Sequence, residues 1–325
     1  MAAVCEDSLR GTTTQTSPQA LVHLSNTYRC LARNLQTDKI PADSTIAAVM
    51  SLAIHDDLRG QPARSKVHID ALQKMVQIRG GITEFLPRDH YMIHKICRAD
   101  IEYALQLGCT PRFYRDEFPR ELIRSMSHKL ISQNQPLKSA DDIQDPVLKG
   151  VTADLISVSR LVGNDRSRFK FKPYAYQEIL ISVSYRLLRR HPVPYYGYEN
   201  SGENALHLAL LAWTTTLIFQ HGRVQRLTYG LLARELHRAI QETSNTGSVR
   251  QATLLWLLFV GGISVFGNPY KAWLMPQIQA CLIALQINSW QDVRDILTRL
   301  PWIEAVHNRS GEAVWLAVSA SEQAT

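Results

Sequence analysis

Apolar positions recur at three- and four-residue steps along almost the whole chain. In residues 67–85, VHIDALQKMVQIRGGITEF, the side chains of Ile69, Leu72, Met75 and Val76 form one stripe, while Asp70, Gln73, Lys74 and Gln77 face away. That spacing predicts an amphipathic helix. The pair Gly80-Gly81 supplies the left-handed positions that stop it, and Arg79 puts positive charge on its carbonyl end.

The same reasoning assigns the rest. Leu21, Leu24, Tyr28, Leu31 and Leu35 predict a core-facing helix that starts near Ser17-Pro18 and ends near Thr37-Asp38. A second helix opens at Ser44, carries Ile46, Val49, Met50 and Ala53 on one face, and breaks at Gly60-Gln61-Pro62. A fourth lies between Arg88 and Gly108, and further helices are expected from Arg120 to Ser132, from Val151 to Gly163 and from Pro173 to Arg190. His191-Pro192-Val193-Pro194 then extends the chain, and residues 195–202 read as a loop. The last third predicts helices over about 203–221, 228–244, 249–266, 270–287 and 289–299, with a short one near 302. Ser289 is the expected cap of the helix that buries Val293, Ile296, Leu297 and Leu300. No period-two run long enough for a strand is present. The fold class is therefore all-α: a multi-helical array of antiparallel-packed helices, about a dozen in number. Residues 1–17 and 319–325 are expected to be loose, and 18–318 to form a single helical domain with a sub-boundary near 191–202.

Composition narrows the class. Of 325 residues, 45% are hydrophobic and 20% charged, a globular balance. The net charge of +7 favours acidic partners, but 36 basic and 29 acidic residues are interspersed. The apolar segments 205–219 and 253–266 fall short of the roughly 20 residues a bilayer crossing needs, so they read as buried core helices and no membrane partner is expected. Five dispersed cysteines without C-x-x-C spacing suit a reducing compartment.

Three blocks of residues carry a resemblance. The first is His68, Leu72, Met75, Val76, Arg79, Gly80 and Gly81, with Ala71 at a position usually glycine. The second is Arg98, Asp100, Ala104, Gly108, Pro111, Arg112 and Phe113. The third is Leu254-Leu255-Trp256, Phe259-Val260-Gly261-Gly262, Ser289-Trp290-Gln291-Asp292-Val293, Leu297, Pro301-Trp302 and Val314-Trp315. In that order they resemble the fungal-specific transcription factor domain, the regulatory region of fungal zinc-cluster regulators. The resemblance implies an all-α domain that acts in the nucleus on the transcription machinery and senses a small-molecule effector or a protein partner; the oligomeric state, a homodimer included, is left open by the sequence. The family's N-terminal cysteine cluster has no counterpart, since only Cys5 and Cys30 precede the domain. No cofactor is therefore expected, and DNA recognition is assigned to a DNA-binding partner or to an upstream exon.

Other residues carry candidate chemistry. His90, His94 and Cys97 share one helical face, as metal ligands would, but nothing supplies a fourth ligand, and a solvated helix face is the better reading. Arg166, Arg168, Lys170 and Lys172 alternate with Ser167, Phe169 and Phe171, a pattern that fits a nucleic-acid or nuclear-import patch and equally a basic loop anchored by its aromatics. His55-Asp56-Asp57 suggests a divalent-ion site, yet its place just before Gly60 favours a solvated helix end. Trp213, Trp256, Trp273 and Trp290 could line an effector pocket or simply fill a core. No nucleophile elbow, zincin motif or phosphate loop is present, so the chain reads as a non-enzyme, with a helical interaction scaffold and a small-molecule enzyme as the competing classes.

Overall fold

The computed structural model describes residues 18–37, 40–85, 90–117, 119, 121, 143–163, 173–195, 197–218 and 229–322. Among them are twelve α-helices and no strand, so the chain is all-α. The expected helix from Arg120 to Ser132 and the expected loose ends at 1–17 and 323–325 lie outside the described residues. The contacts divide the chain into two compact units, 1–115 with 218–228, and 116–217 with 229–325. The break thus falls at Arg115/Asp116, whereas the segment 191–202 lies wholly inside the second unit.

The first unit holds α1 (Pro18–Thr37), α2 (Asp43–Leu58), α3 (Pro62–Ile78) and α4 (His90–Leu107). Helices α2 and α3 form a hairpin about the turn at 59–61, and α4 packs against both. Helix α3 begins a turn earlier than its apolar stripe, because Pro62 sits in its first turn, where a missing N–H costs nothing. Its end is a Schellman stop: Gly80 N–H bonds Gln77 O at 3.0 Å and Gly81 N–H bonds Val76 O at 2.9 Å, with φ of 94° and 110°. The Arg79 guanidinium reaches back to Pro41 O at 2.9 Å and to Asp43 Oδ1 at 2.8 Å, which ties the end of α3 to the start of α2. Helix α1 departs from expectation. Of its stripe only Leu31 is buried, Leu21 and Tyr28 are exposed, and Leu35's side chain lies outside the described ones. The helix packs on α2, so period alone placed a face in the core that tertiary packing covers only in part.

The second unit holds α5 (Pro146–Gly163), α6 (Pro173–Arg190), α7 (Ser201–Ile218), α8 (Gly230–Thr246), α9 (Gln251–Ile263), α10 (Lys271–Ala284), α11 (Trp290–Leu297) and α12 (Glu304–Glu322). Residues 202–217 of α7 are buried throughout, as the apolar run required. Helix α9 packs against α8, α10, α11 and α12. Among the described residues no helix is long and apolar enough to cross a membrane. The cap at Ser289 forms, its Oγ accepting from Asp292 N–H at 3.2 Å.

The short helix expected near 302 is instead the 19-residue α12, which also occupies 319–322 of the segment expected to be loose. Asn308, Ser310 and Gly311 weaken the local helical signal. Packing overrides it: a β-carbon at Gly311 would lie 2.8 Å from the Trp290 ring and 2.9 Å from that of Trp302, so glycine is what lets the helix lie against both indoles.

Candidate functional site

In the first unit, residues of three helices converge on one carboxylate. Asp56, from α2, is 2% exposed and His55 beside it 4%. His55 Nδ1–H donates to Asp56 Oδ1 at 3.1 Å, and His55 Nε2 is buried with no hydrogen-bond partner. From α3, His68 Nε2 stands 3.4 Å from Asp56 Oδ2, too long to satisfy that oxygen, and Oδ2 has no hydrogen-bond partner. From α1, Tyr28 OH lies 3.4 Å from the same His68 nitrogen. Burial pulls the His68 imidazole below the ordinary histidine value, against the pull of Asp56. Burial and the Asp56 charge together raise the Tyr28 phenol. The arrangement sets the His68 ring beside a carboxylate, and can pass a change in that ring's charge to the tyrosine of a neighbouring helix.

This corrects the solvated-end reading of His55-Asp56-Asp57. The turn at 59–61 brings α3 back over the end of α2, burying the first two residues, while Asp57 accepts from Gln106 Nε2 of α4 at 2.9 Å. The sequence held a partial signal for the meeting, since two helices joined by so short a turn pack side by side and bring α3 over α2. Tyr28 carried no such signal.

The residues behind the family resemblance have structural work. Asp100 is fully buried and accepts the backbone N–H groups of Arg112 and Phe113, both at 2.9 Å, so the turn after Gly108 and Pro111 is capped by a side chain of α4. Arg112 Nε then donates to Asp70 Oδ1 of α3 at 3.0 Å, with its guanidinium 4.8 Å from the centre of the Tyr103 ring. Arg98 Nε donates to Glu102 Oε1 at 3.1 Å. In the second unit, Trp256 Nε1–H donates to Pro301 O at 3.1 Å and Trp302 Nε1–H to Asn308 Oδ1 at 2.9 Å. Trp290 lies between Phe259 and Trp315, at 6.2 and 6.5 Å between ring centres. The Phe266 ring fills the space a β-carbon at Gly261 would need, and Leu274 comes within 3.2 Å of one at Gly262.

Cys97 is fully buried, His94 is half-buried, and the His90 side chain lies outside the described ones, as do Arg166, Arg168, Lys170 and Lys172. No group of three His, Cys, Asp or Glu among the described residues is arranged to hold a metal ion. Arg186 and Arg190, near the carbonyl end of α6, make ion pairs with Asp154 at 2.8 Å and Asp145 at 3.0 Å. Trp213 and Trp256 are core, while Trp273 joins Phe266 and Tyr270 around the His237 ring, 4.2 Å from it and perpendicular.

Two histidines of the second unit were not singled out by sequence. His207 donates from Nε2 to His191 O at 3.1 Å and accepts at Nδ1 from Tyr198 OH at 3.1 Å. His307 accepts Ile303 N–H at Nδ1 at 3.0 Å and donates from Nε2 to Thr216 Oγ1 at 2.9 Å, and Thr216 donates onward to Trp213 O at 2.7 Å. Burial drives both rings down to about 3, so both are neutral. No family model, curated protein or solved structure matches this chain.

Proposed function

We propose that the chain is a helical regulatory domain that controls transcription in the nucleus, similar to that of fungal zinc-cluster regulators. It senses a small molecule or a protein partner and passes the signal to a DNA-binding partner. The observation that carries this reading is the physical role of the residues behind the resemblance. They include glycines at positive φ, a carboxylate bonding two backbone amides and tryptophans donating to specific oxygens, where a generic helical pattern would supply only interchangeable apolar side chains. The test is to tether the full chain to a foreign DNA-binding domain and follow a reporter across nutrient conditions. A change in output relative to the DNA-binding domain alone is expected, lost in Asp100→Ala. Unchanged output from a folded, nuclear fusion overturns the reading.

A non-catalytic interaction module is the second reading, favoured by α10. Its residues are apolar on nearly every side, yet Ile283 is 67% exposed and Ala272, Pro276 and Ala280, at four-residue spacing, are exposed with it. A helix of that composition is ordinarily covered. Under this reading the reporter stays unchanged, and Ile283→Asp abolishes partner binding without touching the core.

A further inference from the structure

The Tyr28–His68 contact joins the least buried helix of the first unit to its best-packed pair. Leu31 is the single buried residue among the described side chains of α1, and Leu21, Val22 and Tyr28 all stand more than a third exposed. A helix of this length is marginal when it loses its packing surface. Where α1 meets α3, its tyrosine hydroxyl lies against a histidine nitrogen that already faces a buried carboxylate, and that histidine side chain is only 16% exposed.

We propose that α1 is a detachable strap whose docking on the α2–α3 hairpin is governed by protonation of His68, with acid releasing it. This stands independently of the transcriptional reading.

The groups that face His68 are Tyr28 from α1, His55 and Asp56 from α2, and Arg64 from its own helix. Docking of α1 withdraws the imidazole from water and so disfavours its charged form. Arg64 and His55 add to that effect, and Asp56 opposes it. Asp56, His55 and Arg64 all belong to the hairpin, so their influence on His68 persists when α1 leaves and largely cancels between the two states. What differs is the water that Tyr28 excludes. The docked form therefore binds the proton less well than the released form, and linkage requires acid to favour release. The slope is bounded by one proton, so the docking constant falls by at most about tenfold per pH unit. Asp56 Oδ2, 3.4 Å from the ring and without a hydrogen-bond partner, is the buried charge that the ring faces in both states.

The experiment is amide hydrogen exchange on the full chain between about pH 5 and pH 8, corrected for intrinsic rates. Protection across residues 18–37 should fall towards acid while α2 and α3 keep theirs, and His68→Gln, which cannot take a charge, should abolish the acid dependence. Equal α1 protection at both ends of the range, or the same acid dependence in His68→Gln, overturns the proposal. Should that variant not fold, Tyr28→Ala decides the matter, since its site is partly exposed. The His68 imidazole, followed by NMR, should titrate at a higher pH in Tyr28→Ala than in the wild type, and an unmoved titration overturns the proposal.

Discussion

His307 of the second unit and the histidine pair of the first differ in how fully their ring atoms are used. Both ring nitrogens of His307 are used: a backbone N–H fills Nδ1, Nε2–H donates to Thr216 Oγ1, and Thr216 donates onward to a helical carbonyl. Around Asp56 the bookkeeping is left open. His55 Nε2 and Asp56 Oδ2 are orphaned, and His68 Nε2 stands at 3.4 Å from two oxygens at once. A closed network fixes one structure, whereas an open one leaves a proton free to change what the node prefers. The lesson is that burial of histidine alone does not distinguish a lock from a switch; the completeness of its hydrogen bonding does.

Acid should break the lock most severely. His207 and His307 titrate near 3 when folded and near 6.5 when unfolded, so the unfolded chain binds more protons at intermediate pH. Their contribution is intact above about pH 6.5 and is lost as pH falls towards 3; by pH 5 each costs about 2 kcal/mol. Urea unfolding of the second unit at pH 7 and pH 5 measures this, and His307→Gln should lose about half as much between the two. Next, His307→Ala at neutral pH removes two bonds from a closed network and should destabilise the second unit by about 3 kcal/mol in urea melts. Asp100→Ala, which orphans the amides of Arg112 and Phe113, should cost the first unit about 2 kcal/mol. Tyr28→Phe, at the open node, should change global stability by less than about 1 kcal/mol while raising hydrogen exchange in α1. If Tyr28→Phe proved as costly as His307→Ala in the same melts, the contrast between the two nodes would fail.

Much of the fold was legible because its causes are local. The Gly80-Gly81 stop, the Ser289 cap, Pro173 at the start of α6 and the apolar run of α7 each act within a turn or two of sequence. The length of the terminal helix is not legible locally because its permission comes from elsewhere: Gly311 is a poor helix former that the indoles of Trp290 and Trp302 make advantageous. The site was legible only in fragments. His55-Asp56-Asp57 and His68 were both singled out, but their union depends on α3 folding back, and the solvated-end reading followed from treating the end of α2 without its neighbour.

The sequence by itself determined that the backbone is helical and roughly where each helix starts and stops, since periodicity, caps, prolines and glycines bias the chain over a few residues. Tertiary structure alone decided which carboxylate was buried, which histidines were sealed and which left open, and that α1 would be only half covered. Those outcomes depend on which surfaces meet across dozens of residues of chain, where a change of neighbour alters solvation and hydrogen bonding without changing any local pattern.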